Sequence, residues 1–215
     1  MARVIAIDGP SGAGKSSVSR LVAKRLGYQY LDTGALYRAL ALHLTRKGVN
    51  PEGLEVDIAN AAKDAEIRLE GEKVFLNGED VSDAIRTPEA GHYASVFSAR
   101  KSVRIHLFKI QKEAGQSYDI VAEGRDMTTV VFPDAMVKVY LDASEEGRAK
   151  RRYWQLKGKG MPISMEEACR DIKERDFRDK NRDIAPLRRA EDSLYLDTTN
   201  MALEAVVDRI VKEVQ

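Results

Sequence analysis

A glycine-rich string behind a short apolar run constrains the fold of this chain more than any other part of its sequence. Residues 4–7, Val-Ile-Ala-Ile, are followed at once by Asp-Gly-Pro. Such a run predicts a buried parallel strand that ends in a turn. Residues 9–16 read Gly-Pro-Ser-Gly-Ala-Gly-Lys-Ser and match the pattern Gly, four residues, Gly-Lys-Ser/Thr. A helical pattern over residues 16–26 follows, so the string has the flanking strand and helix that a phosphate-binding loop (P-loop) requires.

Each residue type in this string suits the binding of a nucleotide polyphosphate. Glycines allow successive backbone N–H groups to turn inward around the phosphates, and the helix adds its positive N-terminal end. Lys15 can reach the β- and γ-phosphates, and the Ser16 hydroxyl can join a Mg²⁺ shell. We therefore predict ATP and Mg²⁺ as cofactors, with Ser16 as the metal-binding residue. The predicted cofactor-binding residues are Gly9, Ser11, Gly12, Ala13, Gly14, Lys15, Ser16 and Ser17.

The rest of the pattern predicts one α/β domain with an insertion. Strand and helix patterns alternate over residues 4–48 and 118–214, which is typical of a parallel sheet with right-handed crossovers. Short strand-like runs joined by tight turns predict a small antiparallel insertion at about residues 64–86. A helical stretch over 87–113 is expected to break near Ala99. We predict a P-loop NTPase fold with a five-stranded parallel sheet flanked by helices.

Charge and cysteine content narrow the class of protein. The chain has 35 basic and 34 acidic residues among 215, which gives no global reason to expect a nucleic acid or a membrane as partner. Its single cysteine, Cys169, excludes an internal disulfide and fits a reducing compartment. The N-terminus lacks the pattern of a signal peptide, and no apolar run approaches the roughly 20 residues of a membrane span. We expect a soluble, cytoplasmic monomer.

Elimination leaves a kinase of small molecules. A small GTPase would carry an Asn-Lys-X-Asp string, and the nearest match, at residues 179–183, has the wrong order. Motor and transporter ATPases usually need longer chains. An acceptor that is itself a phosphate needs no general base, but it needs cations to overcome the repulsion between two polyanions. Arginines at strand ends and in the charged C-terminal third fit this requirement.

Four strings in order resemble those of the bacterial cytidylate kinase family. They occupy residues 9–16, 31–38, 123–135 and 174–186, and the resemblance covers nearly the whole chain. It implies phosphoryl transfer from ATP to CMP, and to dCMP, with Mg²⁺. It also implies a core formed by residues 1–35 and 115–215, an inserted α/β acceptor-binding region at 36–114, and a short lid at about 148–163.

The resemblance also implies individual roles. Lys15, Arg125 and Arg182 would be the catalytic residues. The substrate-binding residues would be Thr33, Arg38 and Arg125 for the acceptor phosphate, Ser95, Arg104 and Asp126 for the cytosine edge, and Arg175 and Asp179 for the sugar and phosphate region. Thr128 departs from the family string Gly-Arg-Asp-Met-Gly-Thr, in which glycine stands at this position. A side chain here is expected to alter the turn that carries Asp126.

Other interpretations stay open at this point. Within the class, the acceptor could be adenylate, uridylate or a metabolite such as shikimate. In another class, the chain could be a nucleotide-binding switch that transfers no phosphate, although a switch needs no arginine-rich acceptor site. Structural alternatives are a solvated Arg38, an Arg125–Asp126 ion pair, surface positions for Ser95 and Arg104, and Arg148, Arg151 and Arg152 on a solvated face opposite Glu145 and Glu146.

Overall fold

The computed structural model describes residues 2–214, and a five-stranded parallel sheet forms its centre. The strands of the chain are β1 Val4–Asp8, β2 Gln29–Asp32, β3 Ile67–Glu70, β4 Lys73–Leu76, β5 Glu79–Asp80, β6 Ile120–Gly124, β7 Val137–Asp142 and β8 Leu194–Asp197. The central sheet has the order β2-β6-β1-β7-β8, and every neighbouring pair in it is parallel. The predicted sheet is confirmed.

Eight α-helices accompany the strands in residues 2–214. They are α1 Lys15–Leu26, α2 Thr33–Arg46, α3 Glu55–Ala62, α4 Pro88–Phe97, α5 Lys101–Ser117, α6 Glu145–Lys157, α7 Met165–Asn181 and α8 Leu203–Lys212. The gap between α4 and α5 is the break predicted near Ala99. Ser144 caps α6, and Ser164 with Glu167 forms a capping box on α7. Within the described residues, no helix is long and apolar enough to cross a membrane.

Both faces of the central sheet are buried, as expected for parallel strands between helices. Ile5 and Ile7 pack on one face with apolar residues of α1 and α8. Val4 and Ala6 point to the other face, where α2 and α5 contribute to the core. A separate antiparallel sheet of β3, β4 and β5 lies in the predicted insertion. The helix α3 and the two-residue strand β5 are elements that the sequence analysis did not predict.

Strand register decides which loops meet. Asp8 at the end of β1 lies opposite Gly124 of β6, and Asp32 at the end of β2 lies opposite Glu123. The carboxyl ends of β1, β2 and β6 are therefore level with one another. Ligands of open α/β sheets bind outside this edge of the sheet. The P-loop after β1 and the turn after β6 consequently open into the same space.

Candidate active site

A cavity of about 460 Å³ lies at the carboxyl edge of the sheet. It gathers most of the residues predicted from sequence. Those that line it are Ser11, Gly12, Gly14, Lys15, Ser16, Ser17, Thr33, Arg38, Ser95, Arg125, Asp126, Arg175, Asp179 and Arg182. Gly9, Ala13 and Arg104 do not line it. Gly9 instead packs against β7, Ala13 lies in the hydrophobic core, and Arg104 binds the side chain of Asp126.

The P-loop has the backbone geometry that its glycines permit. Gly14 is the residue before α1 and has a φ of 93°. A Cβ at Gly9 would lie 2.0 Å from the carbonyl oxygen of Leu141. Gly9 therefore lets the loop pass close against β7. Ala13 is completely buried and belongs to the core.

Lys15 is buried at the base of the cavity. Its ammonium group donates hydrogen bonds to the carbonyl oxygens of Gly9 and Pro10, both at 2.8 Å. Burial lowers the pKa of Lys15 to about 7, the charge of Arg125 adds to this effect, and Glu123 opposes it. The anionic phosphates of a bound nucleotide would favour the protonated form, since an opposite charge nearby stabilises it.

Glu123 is a site residue that the sequence analysis did not select. It is the fourth residue of β6, it lines the cavity, and it is only 4% exposed. Burial raises the pKa of Glu123, and the nearby Asp32 adds to the rise, whereas Lys15 and the Ser16 hydroxyl lower it. The hydroxyl of Tyr30 donates a hydrogen bond to its carboxylate. Its place at the carboxyl end of a parallel strand is a signal that could have identified it.

Three arginines concentrate positive charge at the acceptor end of the cavity. Arg125 donates to Asp179 at 2.8 Å; burial disfavours its charge, but Asp179 outweighs this and raises the pKa of Arg125. Arg182 lies 3.5 Å from Asp126 and 3.6 Å from Asp179. Burial and the neighbouring Arg125 lower the pKa of Arg175 to about 10. Within residues 2–214, the buried Nε of Arg175 has no hydrogen-bond partner, so this end of the cavity suits an anion.

Asp126 is 2% exposed and is held by Arg104. The guanidinium of Arg104 donates to the Asp126 carboxylate and to the carbonyl oxygen of Ser98, the latter at 3.3 Å, and lies 5.6 Å from the ring centre of Tyr37. The Arg125–Asp126 ion pair considered above is therefore wrong, because each residue pairs with a different partner. Arg104 is 9% exposed, which excludes a surface position.

The remaining acceptor-side residues also lie inward. Ser95 is buried and its hydroxyl accepts a hydrogen bond from Nε of Arg178 at 3.0 Å. Thr33 is buried and donates to the carbonyl oxygen of Glu123. Arg38 is half-buried and lies 3.3 Å from Asp32. Neither Ser95 nor Arg38 is a solvated surface residue, so both structural alternatives are wrong.

Of the three arginines of α6, two line the cavity and one is buried beneath the P-loop. Arg151 and Arg152 line the cavity, and Arg151 also donates to the hydroxyl of Thr198 at 3.0 Å. Arg148 is buried under the P-loop and forms an ion pair with Asp176. The alternative of a solvated face opposite Glu145 and Glu146 is wrong, because these two glutamates pair with Lys173 and Lys150.

Other lining residues were missed by the sequence analysis. They are Asp32, Gly34, Tyr37, Ala94, Ser98, Glu123, Gly124 and Gln155. Asp32 and Glu123 carry the strand-end signal described above, and Gly34 and Tyr37 lie within the string at residues 31–38. Ala94, Ser98 and Gln155 lie on or beside helices without a local motif, and only the tertiary fold brings them to the cavity.

The fold and the site together define a P-loop kinase, in which a phosphate cradle faces a second, arginine-lined anion site. Comparison with known proteins identifies the family. The family model for cytidylate kinase matches residues 5–215. The chain belongs to the cytidylate kinase family.

Curated relatives agree with this assignment, and a solved structure shares the fold. A cytidylate kinase of Thermodesulfovibrio yellowstonii is 52% identical, over 100% of this chain and 98% of its own length. A cytidylate kinase of Fervidobacterium nodosum is 50% identical, over 96% of this chain and 94% of its own. An uncharacterized protein from Eubacterium ventriosum has a similar fold, with a TM-score of 0.56 at 14% identity over 99% of this chain and 98% of that one.

Proposed function

We propose that this chain transfers the γ-phosphoryl group of ATP to CMP, and to dCMP, producing ADP and CDP or dCDP. The observation that carries the proposal is one cavity with a P-loop at one end and, at the other, the buried Asp126 that Arg104 holds from behind. A nucleoside monophosphate bound between them would place its phosphate among the arginines. Family membership supports the same reaction.

Phosphoryl transfer depends mainly on positioning and on electrostatic stabilisation. Lys15 binds the β- and γ-phosphates in this proposal, and Arg125 and Arg182 reduce the repulsion between the two nucleotides. Thr33, Arg38 and Arg175 hold the acceptor phosphate or the sugar side of the acceptor, with Asp179 orienting Arg125 through their 2.8 Å contact. The acceptor is anionic near neutral pH, so no general base is required.

The residues present fit Mg²⁺ as a cofactor delivered with ATP. Within residues 2–214, no group of three or more His, Cys, Asp or Glu side chains could cage a metal ion. Mg²⁺ is usually bound by one or two protein oxygens, substrate phosphates and waters. The Ser16 hydroxyl and the buried Glu123 carboxylate, which line the same cavity, supply such oxygens. Bound Mg²⁺ would neutralise charge on the phosphate oxygens.

Base recognition follows from the polarity of the Arg104–Asp126 pair. Cytosine presents an amino donor at N4 and acceptors at N3 and O2, whereas uracil presents an acceptor at O4 and a donor at N3. In our proposal Asp126 accepts from N4, and Arg104 donates to N3 and O2 after a change in its present pairing. Ser95 contributes its hydroxyl beside them. Uracil would then set acceptor against acceptor and donor against donor.

We also propose an internal division of the chain and a cellular compartment for it. Arg151 and Arg152 of α6 line the cavity, which supports a lid at about residues 148–163. Arg38 and Ser95 also line it, which supports an acceptor region at 36–114. The single free cysteine, Cys169, supports the cytoplasm as compartment. A monomer without nucleic-acid or membrane partners fits a site formed by one chain.

A kinetic panel with CMP, dCMP, UMP and AMP tests the proposal. CMP and dCMP should exceed UMP in kcat/KM by about tenfold or more, because each well-placed polar pair contributes roughly 1–3 kcal/mol of discrimination. Asp126→Asn should narrow the CMP/UMP ratio while the KM for ATP stays within about twofold. Asp134→Asn, at an exposed position outside the cavity, is the matched control. UMP or AMP equal to CMP as substrate would overturn the cytosine assignment.

A further inference from the structure

The carboxylate of Asp8 is completely buried at the end of β1, directly before the P-loop. It accepts three hydrogen bonds from the turn that follows β6. Met127 donates its backbone N–H at 2.9 Å, and Thr128 donates both its backbone N–H and its hydroxyl at 2.7 Å. Met127 and Thr128 are each 1% exposed. Asp8 therefore fastens this turn to the central strand of the sheet.

The fastened turn is the one that carries Asp126. Asp126 directly precedes Met127 and lies two residues before Thr128, and its carbonyl oxygen accepts the N–H groups of Val130 and Val131 at 2.9 and 3.1 Å. Asp126 is thus the residue that immediately precedes the π-helical turn Met127–Val131. The direction of the Asp126 side chain depends on the backbone of this turn, because no flexible residue separates it from the anchored N–H groups.

The Thr128 hydroxyl differs from the other two donors. Backbone N–H groups are present whatever the residue type, whereas the hydroxyl exists only with Thr or Ser at this position. It donates to the same Asp8 oxygen, Oδ2, as the Thr128 N–H. A buried carboxylate that loses a hydrogen bond loses part of the stabilisation of its charge. The hydroxyl therefore strengthens the anchor two residues after Asp126.

We propose that Thr128 is a positioning residue for base selection, whose hydroxyl, through Asp8, fixes the turn that aims Asp126 at the base of the acceptor. The inference rests on the proposed role of Asp126 in reading cytosine. Thr128 does not line the cavity and acts only through its neighbours. Loss of its hydroxyl should therefore affect CMP more than UMP, and should not affect ATP.

The test compares Thr128→Val, which keeps the shape and removes the hydroxyl, with Thr128→Ser, which keeps the hydroxyl. Thr129→Val is the matched control, because the Thr129 hydroxyl is buried and has no hydrogen-bond partner within residues 2–214. We expect Thr128→Val to lower kcat/KM for CMP about three- to tenfold and to narrow the CMP/UMP ratio. The loss is smaller than that of a whole hydrogen bond to a charged group, because Thr128 acts on the base only through its neighbours. Thr128→Ser and Thr129→Val should keep the wild-type ratio, and KM for ATP should be unchanged.

The outcomes separate this inference from the proposed function. If Asp126→Asn narrows the CMP/UMP ratio and Thr128→Val does not, the positioning role is overturned and the proposed function stands. Equal losses for CMP and UMP in Thr128→Val would indicate a merely structural role and would also overturn it. If Asp126→Asn leaves the CMP/UMP ratio unchanged, both the cytosine recognition by Asp126 and the positioning role of Thr128 are overturned. Thr128→Ala replaces the valine variant if valine does not fold, and carries the same expectation.

Discussion

Arg148 and Asp176 hold Ser11 of the P-loop by both of its backbone groups. The guanidinium of Arg148 donates to the Ser11 carbonyl oxygen at 3.0 Å, and the carboxylate of Asp176 accepts the Ser11 N–H at 2.8 Å. The two side chains also pair with each other, each about nine-tenths buried. Because Arg148 lies on α6 and Asp176 on α7, this contact fixes the P-loop to both helices.

Removal of Arg148 should therefore destabilise the fold. Arg148→Ala leaves the buried carboxylate of Asp176 without its cation, and breaking a buried ion pair in this way typically costs about 3–5 kcal/mol. The free energy of unfolding from urea denaturation measures the loss. Lys150→Ala on the same helix, whose pair with Glu146 is exposed, should leave the urea midpoint unchanged. Similar midpoints for the two variants would contradict a structural role for Arg148.

The arrangement of the central sheet could be predicted because its signals are local. The central strands β1 and β6 are short runs of mainly apolar residues that end at a turn, and the capping box at Ser164 marks the start of α7. The helix α3 escaped prediction because the residue before it, Leu54, provides no side-chain cap and the helix has only 8 residues. The strand β5 has only two residues, too few for an alternating pattern.

The site could be predicted only where a motif or a family string carries it. The spacing of arginines in α6 indicates a helix, but it does not indicate that Arg148 and Arg151 both contact the P-loop and that only Arg151 of the two also lines the cavity. Thr128 illustrates the same limit. Its side chain was expected to alter the turn, whereas in the structure it supplies a third hydrogen bond to Asp8. Such partners lie more than a hundred residues apart in sequence and meet only through the pairing of β1 with β6.

Lys15→Ala should abolish most of the turnover without unfolding the protein. Loss of one preorganised charge at a transition state typically lowers kcat on the order of 10²–10³-fold, and more where it also positions a phosphate. The fold should tolerate the change, because burial holds the pKa of Lys15 near 7 and its charge thus adds no stability at neutral pH. Steady-state kinetics with thermal denaturation measure both effects. Lys24→Ala, exposed on the same helix, is the control, and near-normal turnover in Lys15→Ala would contradict the assigned role.

Gly9→Ala and Gly27→Ala should differ sharply in ATP binding and in stability, although both glycines have positive φ, at 153° and 71°. A Cβ at Gly9 would lie 2.0 Å from the carbonyl oxygen of Leu141, whereas nothing lies within 4 Å of one at Gly27. Gly27→Ala should therefore cost only about 1–2 kcal/mol of backbone strain. Gly9→Ala must in addition displace the P-loop from β7, so it should lose ATP binding or fail to fold. Calorimetric ATP titration and thermal denaturation compare the two. Equal, mild effects would show that the loop does not need this close approach.

A fall in pH should lower kcat/KM for CMP more in Thr128→Val than in the wild-type enzyme. Burial raises the pKa of Asp8 to about 6 from its ordinary 3.8, and the charge of Asp126 adds to the rise, while the N–H and hydroxyl groups of Thr128 lower it. The hydroxyl favours the charged carboxylate, so its removal should raise this pKa further. As the pH falls from 8 to 6, Asp8 should therefore become protonated at a higher pH in the variant than in the wild type. Its hold on the turn after β6 then weakens first in the variant.

The measurable quantity is the ratio of wild-type to Thr128→Val kcat/KM for CMP, which should increase as the pH falls from 8 to 6. Ionisation of the CMP phosphate cancels in this ratio because both enzymes use the same substrate. Unfolding does not explain such a change, because a carboxyl with a raised native pKa binds its proton more tightly in the folded state. Its contribution to stability therefore increases as the pH falls through about 6 toward 3.8. Thermal denaturation at each pH checks that both proteins stay folded. A ratio that does not change with pH would show that protonation of Asp8 is not linked to the Thr128 hydroxyl.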